Sequence, residues 1–184
     1  MYSDIVNYSA VDRLWPLYKK RGEHQVQSTS NHTSRVMTTK HLKAKYSTTA
    51  WDEKTISEEN APIKITRVRS ERTFSGGMTG KGFAEYVMTY HPDSLSPSGP
   101  HAGKSTASYT GLCYFKGSID GSPEGEVVFN VANGSFVVTA EADWIIDEKS
   151  AVGGLKGLKG KGGYKHDIEA TCSDGTDVWL EYTL

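Results

Sequence analysis

From Leu42 to the C-terminus the chain is cut into short runs of β-branched, aromatic and alternating residues, each ended by glycine, proline or Asn/Asp turn chemistry. The runs are LKAKYSTTAW (42–51), IKITRVRSERTF (63–74), FAEYVMTY (83–90), STASYTGLCYFKGSI (105–119), VVFNV (127–131), SFVVTAEADWII (135–146), YKHDIEATC (164–172) and VWLEYTL (178–184). Strands in unbroken succession predict a sandwich or a barrel. Nineteen glycines favour the barrel, since many stand inside or beside the runs, where a closed sheet needs bends and bulges. Closure also removes the exposed edges that an open sheet must protect. The expected fold is all-β, an antiparallel barrel of about eight strands covering residues 37–184.

Residues 1–36 differ in character. Val11, Leu14, Trp15 and Tyr18 stand at helical spacing behind Ser9 and Asp12, which suit a helix start. Pro16 limits that helix or sits in its first turn. KKRGEHQVQSTSNHTSR then reads as a polar linker. The expectation is a short N-terminal extension, part helix and part linker. Its Leu14/Trp15/Tyr18 stripe either docks on the domain, covering a cavity mouth, or packs loosely. Inside the β region, Ser75–Gly82 reads as a turn, His91–Lys104 as a long loop, and Asn133-Gly134 as a two-residue hairpin turn. The glycine-rich SAVGGLKGLKGKGG (150–163) reads as a tight crossing where the sheet bends to close.

Several function classes are disfavoured. A formal net charge of -1 offers no concentrated basic surface for duplex nucleic acid. No apolar run approaches the length of a membrane span, and the N-terminus lacks a basic start followed by an apolar block. Cys113 and Cys172 are read as reduced thiols in a cytoplasmic protein. No metal site is expected, because His91, His101, His166 and the two cysteines are scattered. No cofactor is expected either: the glycines of GLKGLKGKGG lie in no βαβ unit. Lys156, Lys159 and Lys161 read as a solvated basic turn.

WDEK (51–54), FSGGMTGKG (74–82), YTGL (109–112) and LKGLKGKGG (155–163), in that order, resemble the DUF3224 family, which is similar in fold to the allene oxide cyclase barrel. The resemblance spans roughly residues 37–184 and implies a barrel with an interior cavity. Three departures stand out: Cys113 replaces the family's usual Glu, the turn SPEGE (122–126) lacks its usual Arg, and KSAVGG (149–154) shortens a Gly-Ser-Gly-Thr run.

The residues leave several roles open. Glu85, Glu126, Glu141 and Asp143 lie in or next to strands; one that pointed into an interior lined by Tyr86, Tyr109 and Trp144 would have a raised pKa suited to proton transfer. Otherwise they face water, and Arg67, Arg69 and Glu71 form an exterior charge ladder. Glu85, Cys113 and Tyr109 are the candidate catalytic residues; Tyr86, Met88, Phe115 and Trp144 are the candidate substrate-binding residues. Among the histidines, the loop pair His91/His101 is the better candidate. The leading expectation is a cofactor-independent cyclase or isomerase acting on a hydrophobic small molecule of secondary-metabolite type. The alternatives are a non-catalytic binding or carrier barrel, and a filled barrel serving as an interaction or homo-oligomer module.

Overall fold

The computed structural model describes residues 38–99, 101–166 and 175–184. Its strands are β1 (Lys40–Thr55), β2 (Ile65–Gly76), β3 (Met78–Leu95), β4 (Ser105–Ile119), β5 (Gly125–Phe136), β6 (Ala140–Ile146), β7 (Val152–Gly153), β8 (Lys159–Lys165) and β9 (Thr176–Thr183). Every pairing is antiparallel. The order β4-β3-β2-β1-β9-β8-β6-β5, with a further β4–β5 pairing, brings the sheet back to its first strand. Eight strands thus form a closed ring, and β7 adds two residues beside the start of β5. No helix occurs among the described residues. The helix expected in the N-terminal extension lies outside them.

Alternation decides which side chains enter the ring. β2 buries Thr66, Val68, Ser70, Arg72 and Phe74 while Arg67 and Arg69 face out. The face of β3, ambiguous in sequence, follows from its register on β2: Val68 opposes Tyr86 and Ser70 opposes Ala84. Ala84, Tyr86 and Met88 therefore point inward with them. A slip of one residue would send all three out and bring Glu85 in. That slip is opposed by the outer face, where Glu85 accepts from Arg69 at 2.9 Å and from Arg67 at 3.1 Å.

Three local expectations are corrected. Asn133-Gly134 is not a hairpin turn: β5 runs through it, and bends at residues 137–139 join β5 to β6. A type I′ turn needs positive φ at both residues, whereas of these two only Asn133 has it, at 52°. The pair is instead a β-bulge, with register breaks against both β4 and β6. Its outward Asn133 Nδ2 donates to Asp143 Oδ2 at 2.8 Å. Ser75–Gly82 is strand on both sides of Gly77, so the β2–β3 corner is tight.

The glycine-rich crossing is the third correction. Its second half is strand β8, and its Leu155 and Leu158 are fully buried. Gly162 lies opposite Trp144 on β6 and Leu180 on β9. A Cβ there would fall 2.4 Å from Leu180 Cδ2 and 2.5 Å from the Trp179 carbonyl oxygen, so these two take the space a side chain would need. Phe74, Phe115, Phe129 and Trp144 fill the interior around this level: Phe74 meets Phe115 edge-on at 5.1 Å and Trp144 stacks on Phe129 at 4.8 Å.

Candidate functional site

Away from that plug the ring encloses a cavity of about 690 Å³. Five strands send a side chain to its inner end: Tyr46 from β1, Arg72 from β2, Tyr86 from β3, Tyr109 from β4 and Tyr164 from β8. All five are buried. Nearer solvent the lining includes Trp51 and Glu53 of β1, with His101 and Lys104 from the β3–β4 connection. Tyr90 Oη donates to Glu53 Oε1 at 2.8 Å and Trp51 Nε1 donates to Glu53 Oε2 at 3.2 Å. Burial works to raise the Glu53 pKa, but these hydrogen bonds outweigh it and hold the carboxyl below its usual value.

The inner end is built around Arg72, whose residue is 3% exposed. Its guanidinium carbon lies 3.9 Å from the centroid of the Tyr46 ring, 5.2 Å from that of Tyr164 and 5.5 Å from that of Tyr86. Nη2 donates to Tyr86 Oη at 2.5 Å, and Nη1 reaches only the Cys113 sulfur, at 3.8 Å. Nε has no partner. No carboxylate pairs with this cation among the described residues.

The phenols form a chain whose direction can be assigned. Tyr109 Oη donates to the Glu141 carbonyl at 2.8 Å, and Tyr164 Oη donates to Tyr109 Oη at 2.9 Å. The one hydroxyl hydrogen of Tyr164 is thereby used, so in the 3.2 Å contact between Tyr86 and Tyr164 it is Tyr86 that donates. Hydrogen bonds run from Arg72 through Tyr86, Tyr164 and Tyr109 to a backbone carbonyl. A chain that ends on a carbonyl has no base to receive a proton. Burial raises the pKa of Tyr46, Tyr86 and Tyr109 well above the ordinary phenol value, against the opposing pull of Arg72. Burial likewise raises the Cys113 thiol despite the adjacent guanidinium.

Residues 42–182 match the family described as "Protein of unknown function (DUF3224)". The chain belongs to the DUF3224 family. The structures similar to it include a crystal structure of a DUF3224 protein with unknown function from Shewanella oneidensis MR-1. That likeness has a TM-score of 0.54 at 15% identity, and covers 80% of this chain and 98% of the other. It speaks to the fold alone. No curated protein matches the chain at a significant level.

In this DUF3224 member the expected site residues fall into three places. Tyr86, Met88 and Tyr109 line the cavity. Cys113 adjoins Arg72 as a buried thiol without being part of the lining, and Phe115 and Trp144 belong to the plug. Trp144 Nε1 is buried there without a partner. Glu85 is on the outer face, where its two arginine bonds outweigh partial desolvation and depress its carboxyl pKa. Glu126, Glu141 and Asp143 also point outward, to Lys116, Lys165 and Asn133 respectively. The histidine pair is split: His101 lines the cavity and meets the Phe136 ring at 4.8 Å, while His91 is exposed and contacts Ser108 at 3.2 Å.

Arg72, Tyr164, Tyr46 and the Trp51/Glu53 pair are among the lining residues that the sequence reading missed. Arg72 and the Trp51/Glu53 pair carried a signal. Arg72 is in phase with Val68, Ser70 and Phe74, not with the outer Arg67 and Arg69. Trp51 and Glu53 are alternate members of the WDEK tetrad and share the cavity side, while Asp52 and Lys54 bond each other at 3.1 Å. No group of three or more His, Cys, Asp or Glu side chains able to hold a metal occurs among the described residues, nor does any helix long and apolar enough to cross a membrane.

Proposed function

We infer that the closed ring works as a small barrel of the allene oxide cyclase kind, which takes up a small molecule with a largely apolar body and holds it without chemistry. The observation that carries this reading is the cavity of about 690 Å³ walled by Tyr46, Tyr86, Met88, Tyr109 and Phe136. Organic ligands typically occupy clefts of about 300–1,000 Å³ with aromatic walls and few polar anchors. Binding is favoured over catalysis because the four outward carboxylates are out of reach, the cavity's own Glu53 is engaged by Tyr90 and Trp51, and the phenol chain ends on a carbonyl. The reading keeps the setting cytoplasmic, with a reduced thiol at Cys113.

The test is titration with the neutral solvatochromic dye Nile red. Saturable one-to-one binding with blue-shifted emission is expected, abolished by Ala140→Trp, which places an indole at a lining position. No saturable binding, or binding indifferent to that substitution, overturns the reading. Native mass spectrometry of protein from its source organism would identify the ligand it retains.

One observation favours a second reading, the cofactor-independent isomerase or cyclase. Arg72 Nε is buried and unpartnered beside the cavity, the type of donor that stabilises a developing oxyanion. On this reading the retained molecule would be released as an isomer of unchanged mass, visible by NMR. Recovery of the unaltered compound after prolonged incubation would leave binding alone.

A further inference from the structure

We propose that the molecule held in the cavity is an organic anion, with one carboxylate-class head group seated on Arg72 and its alkyl or aryl body along the aromatic walls. The inference rests on the binding reading above and adds the charge and orientation of the ligand.

Arg72 is a guanidinium that keeps its charge at any ordinary pH. It is 3% exposed and has no carboxylate partner among the described residues. Burying an unpaired charge is costly, and folded chains generally pair such groups or use them. The described surroundings do not supply the missing anion. The phenols of Tyr46 and Tyr86 and the thiol of Cys113 stay protonated because burial raises their pKa values. The cavity's carboxylate, Glu53, is engaged by Tyr90 and Trp51. Apart from the phenols, the remaining ionisable groups of the lining are Lys104, His101 and His166, none of which is an anion.

The geometry also selects the head group. The Nε hydrogen is unpartnered and Nη1 has only a sulfur at 3.8 Å. A carboxylate oxygen can accept from the Nε–H in a charge-assisted hydrogen bond, the shorter and stronger kind. A bare inorganic ion would leave most of the 690 Å³ unfilled, so the anion must carry an apolar body. The order of the lining sets the orientation: charge innermost at Arg72, body outward past Met88 and Phe136 toward Trp51.

The experiment is calorimetric titration, near neutral pH, of matched pairs differing only in charge: acetate, decanoate and naphthoate, each beside its primary amide. In the wild-type protein decanoate or naphthoate should bind at least about tenfold tighter than its amide, as a charged hydrogen bond warrants. Acetate should bind weakly. Arg72→Met should bring the preference of acid over amide below about twofold while the amide still binds. Cys113→Asp, which places a carboxylate beside Nη1 as an internal counter-ion, should do the same. It serves as a second route if Arg72→Met fails to fold, judged by near-ultraviolet circular dichroism.

Equal binding of acid and amide in the wild type overturns the inference, as does a preference that survives in a folded variant. If Nile red binds but neither member of any pair does, the inference falls and the cavity reading stands. If the dye fails as well, the binding reading itself falls.

Discussion

If Arg72 is held ready for a ligand, the ligand-free protein should become more stable without it. Arg72→Met removes the charge and keeps an unbranched, adaptable side chain. The substitution loses cation–π contact with Tyr46 at 3.9 Å, with weaker contributions from Tyr164 and Tyr86; for a desolvated site this is about 2 kcal/mol. It loses one charged hydrogen bond to Tyr86, about 1.5–3 kcal/mol. Tyr86 keeps Tyr164 as a partner, so no new buried orphan is made. Against these losses stand the desolvation of the guanidinium, several kcal/mol even after relaxation, and the unpartnered Nε, about 1–3 kcal/mol. The balance is a gain of about 1–3 kcal/mol, in the range seen when buried ionic groups are replaced by apolar ones. For a chain of this size that raises Tm by about 2–12 °C.

The assay is thermal and urea unfolding of ligand-free protein at low ionic strength, with unchanged urea m-value as the check on two-state behaviour. A fall in Tm of more than about 2 °C at constant m would refute the reasoning, since it would make the cation a structural element satisfied by its aromatic neighbours. A second arm uses linkage: excess decanoate should raise the Tm of the wild type and leave that of the variant unmoved.

Three other outcomes are expected. Burial raises the phenol pKa of Tyr46 and Tyr86 well above ordinary values, and burial together with a carboxylate acceptor pushes Tyr90 and Tyr182 up to about 12. The folded state holds these protons more tightly than the unfolded state, so their stabilisation is complete below about pH 10 and is lost as pH rises toward the folded values. Each fully buried phenol then costs about 1.4 kcal/mol per pH unit; a Tm that stays flat from about pH 9 to 11 would contradict this. Gly134→Ala would put a Cβ 2.3 Å from the Tyr109 ring, so a loss of about 1–3 kcal/mol and weaker dye binding are expected; wild-type stability and binding would show that the bulge yields freely. Cys113 is buried with a raised pKa, so iodoacetamide followed by peptide mapping should label it only after denaturation; rapid labelling of the native protein would place it within reach of the cavity.

The strand pattern was open to a sequence reading because period-two alternation is a local property. IKITRVRSERTF puts Val68 and Phe74 on one side and Arg67 and Arg69 on the other whatever the strand pairs with. The same holds for STASYTGLCYFKGSI, whose Tyr109, Cys113 and Phe115 share the buried face in the structure. Local patterning misled where one signal serves two geometries. Asn133-Gly134 marks a left-handed residue followed by glycine, which suits a hairpin turn and a bulge alike. In the bulge the Tyr109 ring packs onto Gly134, where a Cβ would fall 2.3 Å from it, a contact that no local pattern announces. FAEYVMTY was undecidable alone because both faces carry aromatic or aliphatic residues; the partners Arg69 and Val68 on β2 decided it.

The candidate site was less legible still. Tyr86, Met88 and Tyr109 stand among the sequence candidates and line the cavity, but Arg72 does not, and the candidate Glu85, whose direction the sequence left open, faces out. The sequence by itself determined that this chain is an all-β protein of alternating strands with its glycines at the bends, because backbone geometry and hydrophobic period are written residue by residue. Only the tertiary structure decided that β4 meets β5 to close the ring, that three phenols surround one guanidinium with a fourth joined through Tyr164, and that no carboxylate among the described residues accompanies it. Those facts depend on register between strands up to about 140 residues apart. A charge and its missing partner become visible only when such distant segments share one interior.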